Sequence, residues 1–111
     1  MPAGPLTVID IARLTDGVRQ DWKNFELTRV NDHVIRCSVL KRDFHWHAHD
    51  ASDEAFLVLE GTLAIDVDDY TIRLGPGQMT TVPRGTRHRT RAQGRVINLT
   101  FERADTPVAG D

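Results

Sequence analysis

From about Trp22 onward, apolar and polar residues alternate with a period of two, and short turn signals interrupt the alternation. Successive side chains of a strand point to opposite faces, so this pattern predicts half-covered strands and no long helix. "WKNFELTRV" and "HVIRCSVL" flank Asn31-Asp32, two residues that tolerate the left-handed backbone of a tight turn, and are expected to pair as a hairpin. In "TLAIDVDDYTIRL" the apolar series Leu63, Ile65, Val67 runs into Asp68-Asp69 and resumes as Tyr70, Ile72, Leu74. A second hairpin is predicted there, with Thr62, Asp66, Thr71 and Arg73 facing water. "AFLVLEG" is apolar on both faces, which implies cover on both sides, either by the opposite sheet and a partner subunit or by the chain's own N-terminal segment.

The remaining runs are "MTTV" and "RVINLTFE", the latter with Ile97, Leu99 and Phe101 on one face. Gly75-Pro76-Gly77 and Pro83-Arg84-Gly85 mark the turns around them. About eight short strands at this spacing predict an all-β fold, a two-sheet jelly roll or barrel. Residues 7 to 14 read as a turn of helix capped by Thr7, with Val8, Ile11 and Ala12 on one side, or as an added edge strand. The tail "ADTPVAGD" is expected to be irregular. The division that results is one domain over 1–111: an N-terminal segment 1–21, a barrel core 22–102 and the tail 103–111.

Composition narrows the partners. Fourteen basic against 16 acidic side chains give a net charge of -2, which leaves no field of one sign to hold nucleic acid or an anionic membrane. The single cysteine, Cys37, cannot form an internal disulfide, and it shares a strand face with Ile35 and Val39, so its role is packing. The start "MPAGPLTVIDIARL" lacks the pattern of a signal peptide, no run approaches the roughly 18 apolar residues of a membrane helix, and a cytoplasmic location is expected.

Three of the five histidines fall at alternate positions in "FHWHAH". His47 and His49 project from one strand face and can present two imidazoles to one ion; His45 would join them, so the register alone is ambiguous. Glu54 follows His49 after four residues, enough for a short turn, and favours 47/49 over 45/47. His88, beyond the turn "VPRGTRH", could reach the same space from another direction. Three imidazoles and one carboxylate suit Zn, Fe, Ni or Mn rather than Ca or Mg, which take all-oxygen shells. Glu54 could also leave the ion and act as a base. Phe56, Val58, Met79 and Thr81 are read as walls of a small pocket near the ion, and Phe44, Trp46 and Ala48 as pointing away from it. Arg84, Arg87, Arg89, Arg91 and Arg95 form a basic cluster, of which Arg87, Arg89 and Arg91 should face outward if the segment is extended.

These residues resemble both signature motifs of the cupin superfamily. His47 and His49 take the paired-histidine places, Glu54 comes after four residues and Gly61 after six more. Gly77 is followed after five residues by Pro83, then by Gly85, and after two more by His88; Ala92 stands where the family usually has asparagine, a position that is not a ligand. The order "VNDHVIRC", "FHWHAH", "DEAFLVLEG", "VPRGTRHR" and the ending "GD" is similar to small bacterial single-domain cupins often labelled mannose-6-phosphate-isomerase-like. The resemblance implies a double-stranded β-helix of two antiparallel sheets, a homodimer, and His47, His49, Glu54 and His88 as ligands of a divalent transition metal. The function expected is a metal-dependent isomerase or dioxygenase acting on a small polar molecule, or else a non-catalytic module that binds a small ligand.

Overall fold

Strands β1 (Trp22–Val30) and β2 (His33–Leu40) form the first expected hairpin: Val30 pairs with His33 across the turn, and Asn31 takes a φ of 55°. The structure, a computed structural model, describes residues 4–110, so the first three residues and Asp111 lie outside it. Six further strands follow: β3 (Glu54–Glu60), β4 (Leu63–Asp66), β5 (Thr71–Leu74), β6 (Met79–Val82), β7 (Arg89–Ala92) and β8 (Val96–Arg103). They make a five-stranded sheet in the order β1-β2-β8-β3-β6 and a three-stranded sheet in the order β5-β4-β7, antiparallel throughout. This is the all-β, two-sheet architecture that the alternation predicts.

Two apolar clusters hold the sheets. Between them lie Leu40, Val58, Leu63, Ile65, Leu74 and Val96, with Phe56 and Val82. Outside, on the far face of the five-stranded sheet, Cys37, Val39, Ile97 and Leu99 are buried with Val18 and Leu27 under the N-terminal segment, whose Ile9 and Ile11 pack on them. The double cover of β3 is thus met from within the chain on its outer side, where Leu57 joins the second cluster. Gly61, between β3 and β4, has a φ of 80°, and a Cβ there would sit 2.3 Å from the Arg95 carbonyl oxygen, so only glycine fits this corner.

Several details differ from expectation. Helix α1 spans Ile11–Asp16, and its cap is Asp10, whose carboxylate accepts the Arg13 N–H at 3.2 Å; Thr7 lies upstream and Val8 is exposed. Aspartate accepts from the first-turn amides at least as well as threonine, so the helix begins there. Its buried side faces inward through Thr15 rather than Ala12. Asp66 is not in water: it is buried under Arg89 and Arg91, which donate to its carboxylate at 2.8 and 2.6 Å. Met79 pairs with Leu57 and Thr81 with Ala55, so both point to the outer face, and both are exposed.

Candidate metal centre

His47 and His88 face each other across an isolated antiparallel bridge, each backbone N–H donating to the other's carbonyl at 2.9 Å. Directly opposed residues of an antiparallel pair project to the same side, which brings the two rings to 4.5 Å between centroids. Two residues on, the His49 carbonyl accepts the Gly85 N–H at 2.8 Å, pinning the Pro83–Gly85 turn that delivers His88. Glu54 opens β3 opposite Val82. One ligand atom from each of His47, His49, Glu54 and His88 lies within 4.8 Å of the other three.

Hydrogen bonds set the ring tautomers. His47 Nδ1 lies 2.9 Å from the His45 carbonyl and His88 Nδ1 2.9 Å from the Thr86 carbonyl. A carbonyl only accepts, so both Nδ1 atoms carry the proton, and in the neutral rings Nε2 keeps its lone pair. His88 Nε2 stands 3.3 Å from Glu54 Oε1, and His49 Nε2 is 3.3 Å from the same oxygen. In His88 a lone pair therefore faces an anionic oxygen, an arrangement that is repulsive unless a proton or a cation lies between. Two atoms bound to one ion at about 2.1 Å stand about 3.0 Å apart at a right angle and about 3.4 Å apart at the tetrahedral angle, so these spacings fit a shared ion.

The protonation states agree. Burial pushes the Glu54 carboxyl up, but the closeness of His49 and His88 outweighs it and brings it down to about 2, so the carboxylate is the form present. Burial lowers the basicity of His47. A carboxylate beside a neutral imidazole is the form in which both coordinate metal.

The comparisons decide the family. The model described as the cupin domain matches residues 40–101 of this chain, more than half of it. The chain belongs to the cupin family. An uncharacterized Bacillus subtilis protein, YdbB, is 39% identical to this cupin over 94 residues, covering 84% of this chain and 83% of its own. The crystal structure of a cupin-2 domain containing protein from Shewanella frigidimarina superposes with a TM-score of 0.81 at 30% identity, over 86% of this chain and 94% of that one. Protein NMB1881 from Neisseria meningitidis superposes with a TM-score of 0.77 over 88% of this chain and 100% of its own; at 23% identity it shows the fold alone. The two-sheet architecture is the cupin jelly roll.

The four groups that sequence reading singled out are together in this cupin, and they could hold a metal ion. His45 is not among them: it is exposed, and its Nε2 meets the Ala109 carbonyl at 2.8 Å. Segment 44–49 is not a regular strand, so strict alternation fails there. As a result Phe44, read as pointing away, lines the cavity beside His47, its ring 5.6 Å from that of Trp22. Trp46 does turn outward, stacked under Arg87 and Arg89 at 4.6 and 5.2 Å. Of the predicted wall residues, Phe56 is buried beside His88, whereas Met79 and Thr81 are on the opposite side of their sheet.

What sequence reading missed is the polar floor of the cavity. Arg36, Asn98, Thr100 and Glu102 are all buried and line it together with Asn24 and Ser38. Arg36 Nη1 donates to Glu102 Oε1, while Oε2 accepts no hydrogen bond among the described residues and lies 3.9 Å from His49 Nε2. Burial, then the Glu54 charge, pushes Glu102 up to about 7 against the pull of His49 and Arg36. The only sequence signal was that both faces of β2 and β8 carried a pattern; alternation separates two faces without saying which is inside.

Proposed function

We propose that this cupin holds a divalent transition metal ion, Zn, Fe, Ni or Mn, on His47, His49, Glu54 and His88, and acts as a metal-dependent enzyme of isomerase or dioxygenase type on a small polar molecule. The observation that carries the reading is the convergence of the His49 and His88 Nε2 atoms on one Glu54 oxygen, both at 3.3 Å. A bound ion would supply Lewis acidity toward the oxygen atoms of the molecule in the cavity. The protein's own groups then do the rest. The His45 and Thr86 carbonyls fix the rings of His47 and His88. Phe44, Phe56 and Val108 supply apolar wall to the cavity. Glu54, held as an anion by His49 and His88, is a weak base in place and gains basicity once it swings free of them.

The finer resemblance, to the group labelled mannose-6-phosphate-isomerase-like, rests on motif order alone. We also propose a homodimer in the cytoplasm: Leu59 and Met79 remain exposed on the outer face of the five-stranded sheet, beside half-buried Leu57, and would be covered by a second copy. Among the described residues no helix is long and apolar enough to cross a membrane. The test of function is to purify the protein without an affinity tag, measure its metal content, load Mn, Fe, Ni and Zn separately, and screen sugars, diketones and phenolics for turnover. One ion per chain with turnover in one metal form is expected. An intact, loaded site with no turnover, yet stabilised in a thermal shift by a compound that emerges unchanged, would select the non-catalytic binding module instead.

A further inference from the structure

We propose that Arg36 and Glu102, with Asn98 and Thr100, form a binding floor for the hydroxyl and carbonyl groups of a small uncharged molecule, and that this floor rejects carboxylates and phosphate esters. The inference rests on the proposed metal site and gives it a substrate class: the metal site would take one end of the molecule and the floor the other.

Charge comes first. Arg36 is the one arginine or lysine among the described residues lining the cavity, and Glu102 already holds it. The arginines that could draw an anion lie elsewhere: Arg89 and Arg91 clasp Asp66, and Arg87 and Arg89 cover Trp46. A phosphate group seated on the floor, away from the metal ligands, would meet no spare arginine or lysine and would sit beside Glu102, a buried charge without a partner. The remaining polar groups are amides and hydroxyls, each able to donate and accept. Asn24 donates to Ser38 at 2.8 Å, which leaves Asn98 and Thr100, at the neighbouring register positions on β8, nearer the middle of the floor. The free Oε2 of Glu102 supplies a strong acceptor that a ligand hydroxyl would satisfy and a ligand carboxylate would not.

Size comes second. The cavity has a volume of about 50 Å³. At one water-sized group per roughly 12 Å³, that admits about four such groups, a molecule of about three or four carbons.

The test uses the full chain loaded with Mn at pH 8, with dihydroxyacetone and dihydroxyacetone phosphate as probes and calorimetry as the readout. Wild type should bind the neutral probe at least about tenfold more tightly than the phosphorylated one. Glu102→Gln keeps the shape but leaves Arg36 uncompensated. It should weaken the neutral probe by about tenfold and reverse the preference, with metal content unchanged. Should that variant fold poorly, Thr100→Val removes a single hydroxyl and should weaken the neutral probe about fivefold without altering the charge preference. Wild type preferring the phosphorylated probe, or binding neither, would overturn the proposal, as would a well-folded Glu102→Gln with unaltered selectivity. Failure of the metal reading is distinguishable: it would show as no bound Mn in wild type, and the same two probes on the metal-free chain would still rank the floor's preference.

Discussion

The two ends of the barrel interior are built on the same strands from opposite chemistries. Along the inward face of β8 the series runs Val96, Asn98, Thr100, Glu102; along β2 it runs Leu40, Ser38, Arg36; along β3, Val58, Phe56, Glu54. The register aligns these gradients, pairing Leu40 with Val96, Ser38 with Asn98 and Arg36 with Thr100. One end closes into the cluster of Leu63, Ile65, Val58 and Val96, all 0% exposed, and carries the packing energy. The other end has to keep a buried guanidinium, two carboxylates and three imidazoles in one small space. The sheet thus affords stability at one end and spends it on chemistry at the other.

That contrast can be broken where the cost is greatest. Arg36→Met strands the Glu102 carboxylate, and urea denaturation should show a loss of about 3–5 kcal/mol. The double variant Arg36→Met/Glu102→Leu should recover most of it, because a buried pair replaced by apolar side chains of similar volume is close to neutral. If the double variant is as unstable as the single one, the pair is structural and the two ends are not distinct. At the apolar end, Ile65→Ala should cost about 3 kcal/mol by cavity formation, with metal binding retained. Removing metal sharpens the same line. An ion at a hundred times its Kd should add about 2.7 kcal/mol to wild type and to Ile65→Ala alike, and nothing measurable to His88→Ala, read from thermal unfolding with and without chelator.

A smaller effect lies outside the barrel. The Arg91 guanidinium first, then Thr71 and Arg89, hold the Asp66 carboxyl well below its ordinary value. A lowered pKa stabilises the fold above the unfolded-state value of about 3.9, and the contribution is lost as pH falls below that toward the folded-state value. Melting curves between pH 5 and pH 3 should therefore fall more steeply for wild type than for Asp66→Asn. The smallest effect is on Cys37, whose thiol burial pushes up to about 11: iodoacetamide at pH 8 should leave the native protein unlabelled and modify it once unfolded.

Which parts were legible in the sequence follows from what each signal encodes. Period two gave the strands, and Asn31-Asp32 and Val67–Tyr70 fixed the two hairpin turns, because turn chemistry is local. The grouping of His47, His49, Glu54 and His88 was legible because motif spacing records which segments meet, and the structure brings these four together. Orientation was the part that failed. Ile97, Leu99 and Phe101 look like a core face but pack outward beneath the N-terminal segment, while Asn98, Thr100 and Glu102 look like a wet face and turn inward. A sheet covered on both sides removes the usual rule that the apolar face is the inner one. Asp66 misled for the mirror-image reason, its cover coming from arginines 23 and 25 residues away in sequence.

Gly110 lies at a φ of 94° with its missing side chain aimed at His47: a Cβ there would be 2.6 Å from that of His47 and 3.1 Å from its Cδ2. The tail and the imidazole therefore share one parcel of space, and a side chain added at one displaces the other. In a descendant where residue 110 acquires a methyl group, either the tail lifts away, taking Val108 off the cavity mouth, or the ring tilts from its partners. A single hydrogen atom at the far end of the chain thus sets how wide the door to the interior stands.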